Sequence, residues 1–346
     1  MSLSERLQRS WWRPEGDALS LLLTPLSLLY RLLFAAHRDL FRHGLRTVAR
    51  APMPVVVVGN LVVGGAGKTP TVIALVRALR QAGWIPGVVS RGYGRQGHAV
   101  QVVTGACTAA EVGDEPLLIH LRTGAPVAVG RDRVAAAQAL CRTHPTVNLL
   151  ISDDGLQHWR LARDLQVLVF DDRGIGNGRQ LPAGPLREPL PDALPPHTLA
   201  VYNAASASTP LPGCVADRRL VGAVPLADWW RGAAPSLAAL HALKGRTVLA
   251  AAGMAHPERF FRMLEAEGLR IERLPLPDHF DFRRLPWPAG AGDVVVTEKD
   301  AIKLHPDAQG DVRVWVVALD LRLPAAFIAE AQRILRRYQA PDRHDT

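Results

Sequence analysis

From residue 54 onward, short apolar runs alternate with longer stretches of helical periodicity, the pattern of a parallel sheet wound by helices. The runs at 55–58, 85–89, 126–129, 147–151, 165–170 and 199–202 predict strands. They lead respectively into GGAGKT, SRGYGR, GRDR, SDDG, DDRGIGNGRQLPAGPLREP and NAAS. Open α/β sheets bind ligands beyond the carboxyl ends of their strands, so these polar loops predict one shared crevice.

Past residue 205 the composition shifts toward alanine, proline and tryptophan, around PLADWWRG. A second alternation follows, with a strand in GRTVLAAAGM, a helix in HPERFFRMLEAEGL, strands in GDVVVTEKD and VRVWVVALD, and a last helix over 324–337. The expected organisation is a helical segment over 1–50, a nucleotide-binding α/β domain over 51–215, a connector over 216–240, and a second α/β domain over 241–346 that closes the cleft. A chain of 346 residues is long for one core, which agrees with two units.

The first fifty residues differ from the rest. ALSLLLTPLSLLYRLLFAA, residues 18–36, approaches the length of a membrane span, but Thr24-Pro25 interrupts it and Arg31 lies inside it. It does not show the clear leading charge and small-residue cleavage site of a secretory signal. Arg38, Arg42, Arg46 and Arg50 recur every fourth residue and would form one cationic stripe on a helix. Leucines followed by such a stripe read first as a helix lying in a bilayer interface against anionic headgroups. A single span and an ordinary helix packed on the core are the other readings.

Charge and cysteines narrow the picture a little. Lysine plus arginine number 41 against 32 acidic residues, a net charge of +9, which suits phosphates, anionic lipid or nucleic acid. The leucines beside the arginines, with few aromatics to stack bases, favour lipid over nucleic acid. Cys107, Cys141 and Cys214 are far apart and lack metal-ligand spacing, so free thiols are expected.

The first strand runs into Gly64, Gly65, Gly67, Lys68 and Thr69 and then a helical stretch. That is the setting of a phosphate-binding loop: backbone N–H groups and a helix start face the anion, and a lysine reaches the terminal phosphates. Thr69 can hold Mg²⁺ through its hydroxyl. One departure is plain, because Val62 stands where the usual spacing has glycine. Loops of ParA/MinD-type ATPases resemble KGGxGKT, but Val63 replaces their extra lysine. In VNLLISDDG, Asp153 and Asp154 can present a carboxylate to the metal; being adjacent, they should face opposite ways.

A kinase needs a base for an acceptor hydroxyl as well. EVGDEP offers Asp114 and Glu115, and LPDHFDF offers Asp278, His279 and Asp281. Taken alone, Asp114 reads as a helix cap and His279 as a loop histidine.

The ordered set GNLVVGGAGKTP, SRGYGR, VGDEP, SDDGLQHWRLARDL, GNGRQLPAGPLREP, GMAHPERF, PDHFDF and TEKDAIKL resembles the tetraacyldisaccharide 4'-kinase family, the lipid A 4'-kinases. The resemblance covers the chain from its leucine-rich start to the last helix. It implies an α/β fold with a P-loop-containing parallel sheet, a second smaller α/β domain and an amino-terminal membrane-associated helix. It implies an enzyme on the cytoplasmic face of the inner membrane that passes the γ-phosphoryl of ATP to the 4'-hydroxyl of tetraacyldisaccharide 1-phosphate, an anionic glycolipid. By this likeness Gly64, Gly65, Gly67, Lys68 and Thr69 hold ATP, and Thr69, Asp153 or Asp154, and Glu188 serve Mg²⁺. Asp114 with His279 matches the base dyad. Ser90, Arg91, Tyr93, Arg95, Arg131 and Arg133 match loops lining the acceptor cleft. No nucleic acid and no obligate protein partner are implied; the rival reading is a membrane-tethered ParA/MinD-type ATPase.

Overall fold

The computed structural model describes residues 3–306 and 310–338. The larger sheet contains β1 (Val55–Gly59), β2 (Pro86–Ser90), β3 (Gln101–Val102), β4 (Val127–Val129), β5 (Leu149–Asp153), β6 (Leu165–Asp171), β7 (Thr198–Asn203) and β8 (Cys214–Val215). Its order is β3-β4-β2-β5-β1-β6-β7-β8, parallel throughout except at the β3–β4 edge. The smaller sheet contains β9 (Asp217–Pro225), β10 (Thr247–Ala252), β11 (Arg270–Pro275), β12 (Asp293–Thr297) and β13 (Arg313–Arg322). It runs β11-β10-β12-β13-β9, with only the β13–β9 pair antiparallel.

The amino-terminal helices are α1 (Leu3–Trp11), α2 (Ala18–Leu22) and α3 (Thr24–Arg42). The first sheet carries α4 (Lys68–Gln81), α5 (Ala109–Val112), α6 (Asp114–Thr123) and α7 (Arg133–Thr143). The second part adds α8 (Leu226–Trp230), α9 (Leu237–His241), α10 (Pro257–Ala266), α11 (Glu298–Ala301) and α12 (Ala325–Leu335).

Every residue of β1 is buried, which is why its run of valines does not alternate with polar residues: both faces of this central strand are covered. Val55 and Val57 pack with Leu150, Phe170 and Leu140 on one side. Val56 and Val58 pack on the other with Val72, Leu75, Val76 and Leu79, which recur along α4 at helical spacing. That second cluster continues into Val294, Val296 and Val316 of the smaller sheet and Phe327, Ala331 and Leu335 of α12. The helix that starts at the phosphate loop thus lies between the two sheets. Cys107, Cys141 and Cys214 are free thiols.

Two expectations are corrected. The stretch 216–240 is more than a connector: it supplies β9, which pairs with β13 from Trp315 to Arg322, and α8 and α9. DRRLVGAVP escapes notice because an edge strand leaves its polar residues exposed. The four arginines do not share one helix. Helix α3 ends at Arg42, Gly44 turns the chain at φ 71°, and Ala49 is already in an extended bridge to Leu161. Arg50 instead pairs with buried Asp164 at 3.0 Å. The apolar run is interrupted where expected: α2 ends at Leu22 and Thr24-Pro25 starts α3, with proline in the first turn where its missing N–H costs nothing.

Candidate active site

Gly67 caps α4 in the left-handed region at φ 88°, and Gly64 is left-handed too, at φ 88°. A Cβ on Gly67 would lie 1.8 Å from Asn203 Nδ2, so the loop passes against the end of β7 where a side chain cannot fit. Gly64 and Gly65 face open space. Lys68 is buried and folds back over the loop: its Nζ donates to Asn60 Oδ1 at 3.2 Å and to the Gly64 carbonyl at 3.3 Å, and lies 3.8 Å from Asp154. Val62 is buried and bridged to Leu186; nearby, Val63 N–H donates to the Pro185 carbonyl and Arg187 N–H to that of Leu61. A glycine at position 62 would forgo this packing. The departure from the usual loop spacing therefore ties the phosphate loop to the segment before Glu188.

Beyond β5 the two aspartates diverge, as their adjacency requires. Asp153 is buried; its Oδ2 accepts from Ser90 Oγ at 3.1 Å and its Oδ1 has no partner. Burial first, then the Glu115 and Asp154 charges, push its carboxyl up to about 7. Asp154 leaves the strand at φ 47°, an uncommon backbone for a residue with a side chain. Burial acts to raise its carboxyl, but the Lys68 and Arg187 charges outweigh that and hold it below the usual range. Arg187 reaches Asp154 and Gln157 at 3.1 Å each, and Gln157 donates to Glu188 at 2.7 Å. Glu188 is thereby linked to the doublet through two side chains; burial raises its carboxyl.

On the other side of the phosphate loop, Asp114 opens α6 and accepts from His279 Nδ1, with the two atoms 2.9 Å apart. The cap position of this helix is Gly113; Asp114 Oδ1 accepts from the Glu115 N–H at 3.0 Å, and its other oxygen meets His279. His279 comes from the loop after β11, at φ 60°. The Asp114 hydrogen bond raises the His279 ring above its ordinary value, against burial and the Lys299 charge. Burial raises Asp114, while the bond from His279 and the Lys299 and Lys303 charges bring it below the usual range. The dyad therefore spans the two sheets.

The residues expected to line the acceptor cleft lie in different settings, and Tyr93 is the one seen against this pair. Tyr93 is exposed, its ring 5.3 Å from that of His279. Arg91 and Arg131 are exposed, and Arg95 donates to the Ala99 carbonyl at 2.7 Å. Arg133 is buried, holding the Gly130 and Arg131 carbonyls at 3.2 and 3.1 Å, so it supports the loop from behind.

A cavity of about 370 Å³ opens from Gly65, Gly67, Lys68 and Thr69 toward the second sheet. Its far wall is apolar, with Met254, Phe260, Met263, Leu319 and Leu321; Arg173, Arg218 and Arg259 stand near the phosphate loop end. Sequence alone does not single out several groups of the site. Asn60 is one, its signal being the GN that follows the first valine run. Lys299 and Lys303 of TEKDAIKL are others, and so is Arg187 beside Glu188.

Parallel sheet, glycine cradle and buried lysine define a P-loop nucleotide-binding protein with a carboxylate–histidine pair beside the cradle. The model of the LpxK family, tetraacyldisaccharide-1-P 4'-kinase, matches residues 19–336, and the chain belongs to that family. A tetraacyldisaccharide 4'-kinase of Methylibium petroleiphilum is 54% identical over 93% of this chain and 91% of its own. One of Leptothrix cholodnii is 51% identical over 95% of each. The crystal structure of LpxK from Aquifex aeolicus in complex with ATP superposes with a TM-score of 0.74 at 28% identity, covering 92% of this chain and 99% of that one.

Proposed function

We infer that this protein transfers the γ-phosphoryl group of ATP to the 4'-hydroxyl of tetraacyldisaccharide 1-phosphate, forming lipid IVA. The observation that carries the reading is the Asp114–His279 pair at 2.9 Å, beside a phosphate loop that ends in Lys68 and Thr69. The pair supplies a base for an acceptor hydroxyl, and the relatives' shared name as tetraacyldisaccharide 4'-kinases favours that use over a partner-positioning ATPase.

Triphosphate occupies the cradle of Gly64, Gly65 and Gly67, against backbone N–H groups at the start of α4. Lys68 exchanges its loop contacts for terminal phosphate oxygens. The residues fit Mg²⁺: Asp153 Oδ1 is a buried carboxylate oxygen with no partner, and Thr69 lines the cavity at the helix start. Among the described residues no three acidic, histidine or cysteine side chains converge on one point. That is the donor set expected where one or two carboxylates act with substrate phosphates. Thr69, Asp153 or Asp154, and Glu188 would hold the ion, which neutralises charge on the phosphate oxygens.

Asp114 takes the proton of the acceptor hydroxyl as that oxygen forms its bond to phosphorus and ADP leaves. Arg91, Tyr93, Arg95 and Arg131 line the acceptor side, with buried Ser90 and Arg133 behind them. The acceptor arrives from a bilayer. Leu26, Leu29, Leu32 and Leu33 of α3 are exposed, while Ser27 and Tyr30 hold the helix to the protein by donating to the Gln180 and Arg187 carbonyls at 2.8 and 2.9 Å. Among the described residues no helix is long and apolar enough to cross a membrane, so the leucines suit an interfacial position on the cytoplasmic face of the inner membrane.

The test is purified full-length protein with radiolabelled ATP, Mg²⁺ and tetraacyldisaccharide 1-phosphate, followed for a doubly phosphorylated lipid. Asp114→Asn should lower turnover by roughly 10²–10⁴-fold with ATP affinity retained. Wild-type protein that yields no labelled lipid would refute the activity, and a fully active Asp114→Asn would refute the base.

A further inference from the structure

The TEKDAIKL segment gives each of its polar residues a separate partner. Thr297 and Asp300 close the start of α11 on each other, with Thr297 Oγ1 donating to Asp300 Oδ2 at 2.7 Å; Gly253 N–H donates to the same oxygen at 3.0 Å. Glu298 pairs with Arg122 of α6 and accepts from Trp229 Nε1 at 3.2 Å. The turn is pinned on both sides, which leaves Lys299 with a defined direction.

Lys299 points at the dyad. Its Nζ lies 2.9 Å from Asp278 Oδ1, 3.4 Å from His279 Nε2 and 3.9 Å from Glu115 Oε1. Its side chain is 20% exposed, so these contacts are little diluted by solvent. Four residues on, Lys303 donates to the Phe280 carbonyl at 2.8 Å and stands 4.0 Å from Asp114 Oδ2.

An ammonium group has three donors and no acceptor. At Nε2, then, the His279 ring must accept. A neutral imidazole that accepts at Nε2 carries its hydrogen on Nδ1, where Asp114 waits as acceptor 2.9 Å away. A single tautomer satisfies both neighbours. The imidazolium would instead set an N–H against the lysine's N–H groups. The groups facing the ring are Asp114 and Glu115 from α6, Tyr93 from the loop after β2, Asp278 beside it in its own loop, and Lys299 and Lys303 from α11 and the turn after it.

We propose that Lys299 is a positioning residue for the phosphoryl transfer: its ammonium donates to His279 Nε2, fixes the Nδ1–H tautomer, and presents a neutral N–H donor to Asp114. Asp114 then stays the one group of the pair able to take the hydroxyl proton, since the far nitrogen of the ring is closed to proton traffic. This rests on the reading of Asp114 as base.

The test uses the full chain with ¹⁵N-labelled histidine, the His279 signals being assigned by their loss in His279→Gln. At a pH above the raised titration of the ring, the wild-type imidazole should show a protonated Nδ1 and an unprotonated Nε2. In Lys299→Met the fixed tautomer should give way to a mixture, and the ring should become imidazolium at higher pH because the opposing charge is gone. The acidic limb of kcat/KM should move up with it, kcat should fall about tenfold, which is 1.4 kcal/mol, and KM for ATP should stay within about twofold. Lys299→Gln, which keeps an N–H donor without the charge, should retain the tautomer yet share the raised titration; it also serves if Lys299→Met folds poorly. A neutral wild-type His279 ring with its hydrogen on Nε2, or an unchanged tautomer and acidic limb in both variants whatever the loss of kcat, would overturn the proposal. The tautomer is read without turnover, so a failure of the Asp114 reading, seen as an active Asp114→Asn, stays distinguishable.

Discussion

At Gly67 two demands coincide, a left-handed backbone at φ 88° and a neighbour, Asn203 Nδ2, 1.8 Å from where a Cβ would stand. Asn203 in turn donates to the Ala66 carbonyl at 3.2 Å, and its own carbonyl accepts from Arg259 at 2.7 Å, so it couples the loop to α10 of the second unit. Gly67→Ala should therefore lose about 1–3 kcal/mol to backbone strain alone, and more to the contact. Thermal unfolding and titration with a non-hydrolysable ATP analogue measure it; adding Asn203→Ala should recover only the contact part. A single variant with wild-type Tm and affinity would mean the loop yields easily. The glycine cradle was legible because Lys68 and Thr69 follow it in register. Asn203 was not, since NAAS ends a strand like any polar loop and its tie to Gly67 is a contact between residues far apart in the chain. The same holds for Lys299: a lysine in a short helix reads as solvated until the fold brings His279 to it.

Elements were legible in proportion to how fully their residues are buried. The inner strands β1, β5 and β12 are buried along their whole length and stand out as apolar runs. Strand β11, RIERLP, has no buried residue, and only its backbone pairing with β10 makes it a strand. The smaller sheet is held at its lower end by charge. Asp293, buried at the start of β12, accepts from Arg313 Nε at 2.8 Å, Trp315 Nε1 at 2.9 Å and Arg246 at 3.0 Å. The Arg313 hydrogen bond is the largest influence and brings its carboxyl down to about 2 from an ordinary 3.8. A depressed carboxyl stabilises the folded state above its unfolded value, and that contribution is lost as pH falls through the interval from 3.8 to about 2. Its size is on the order of 2 kcal/mol. Denaturant titrations from pH 6 down to pH 2 should show Asp293→Asn less stable than wild type at the upper end, with the gap closing toward the lower. A gap of constant size would place the cost in packing rather than in charge.

The whole molecule joins a nucleotide-binding unit, a second sheet that completes its site, and an amino-terminal segment fastened to both loop and cradle. Trp11 Nε1 donates to the Pro182 carbonyl at 2.8 Å, and the Arg173 guanidinium lies 3.9 Å from the Trp12 ring while donating to the Gly65 carbonyl at 3.2 Å. Removing the whole segment would therefore disturb the phosphate loop as well as any membrane contact, and a deletion confounds the two. The exposed leucines separate them. Leu29, Leu32 and Leu33 are 55%, 68% and 62% exposed and are not among the residues that line the cavity. A chain carrying Leu29→Gln, Leu32→Gln and Leu33→Gln should keep its Tm and ATP-analogue affinity. If each leucine is worth roughly 1.5 kcal/mol on transfer from water, its partition onto phosphatidylglycerol-containing vesicles should fall by about a thousandfold. The net charge of +9 adds a salt-dependent attraction that the variant retains, so the difference should persist at high ionic strength, where that attraction is screened. Flotation with vesicles at low and high salt measures both parts; equal flotation of variant and wild type at high salt would remove α3 as the membrane-facing element.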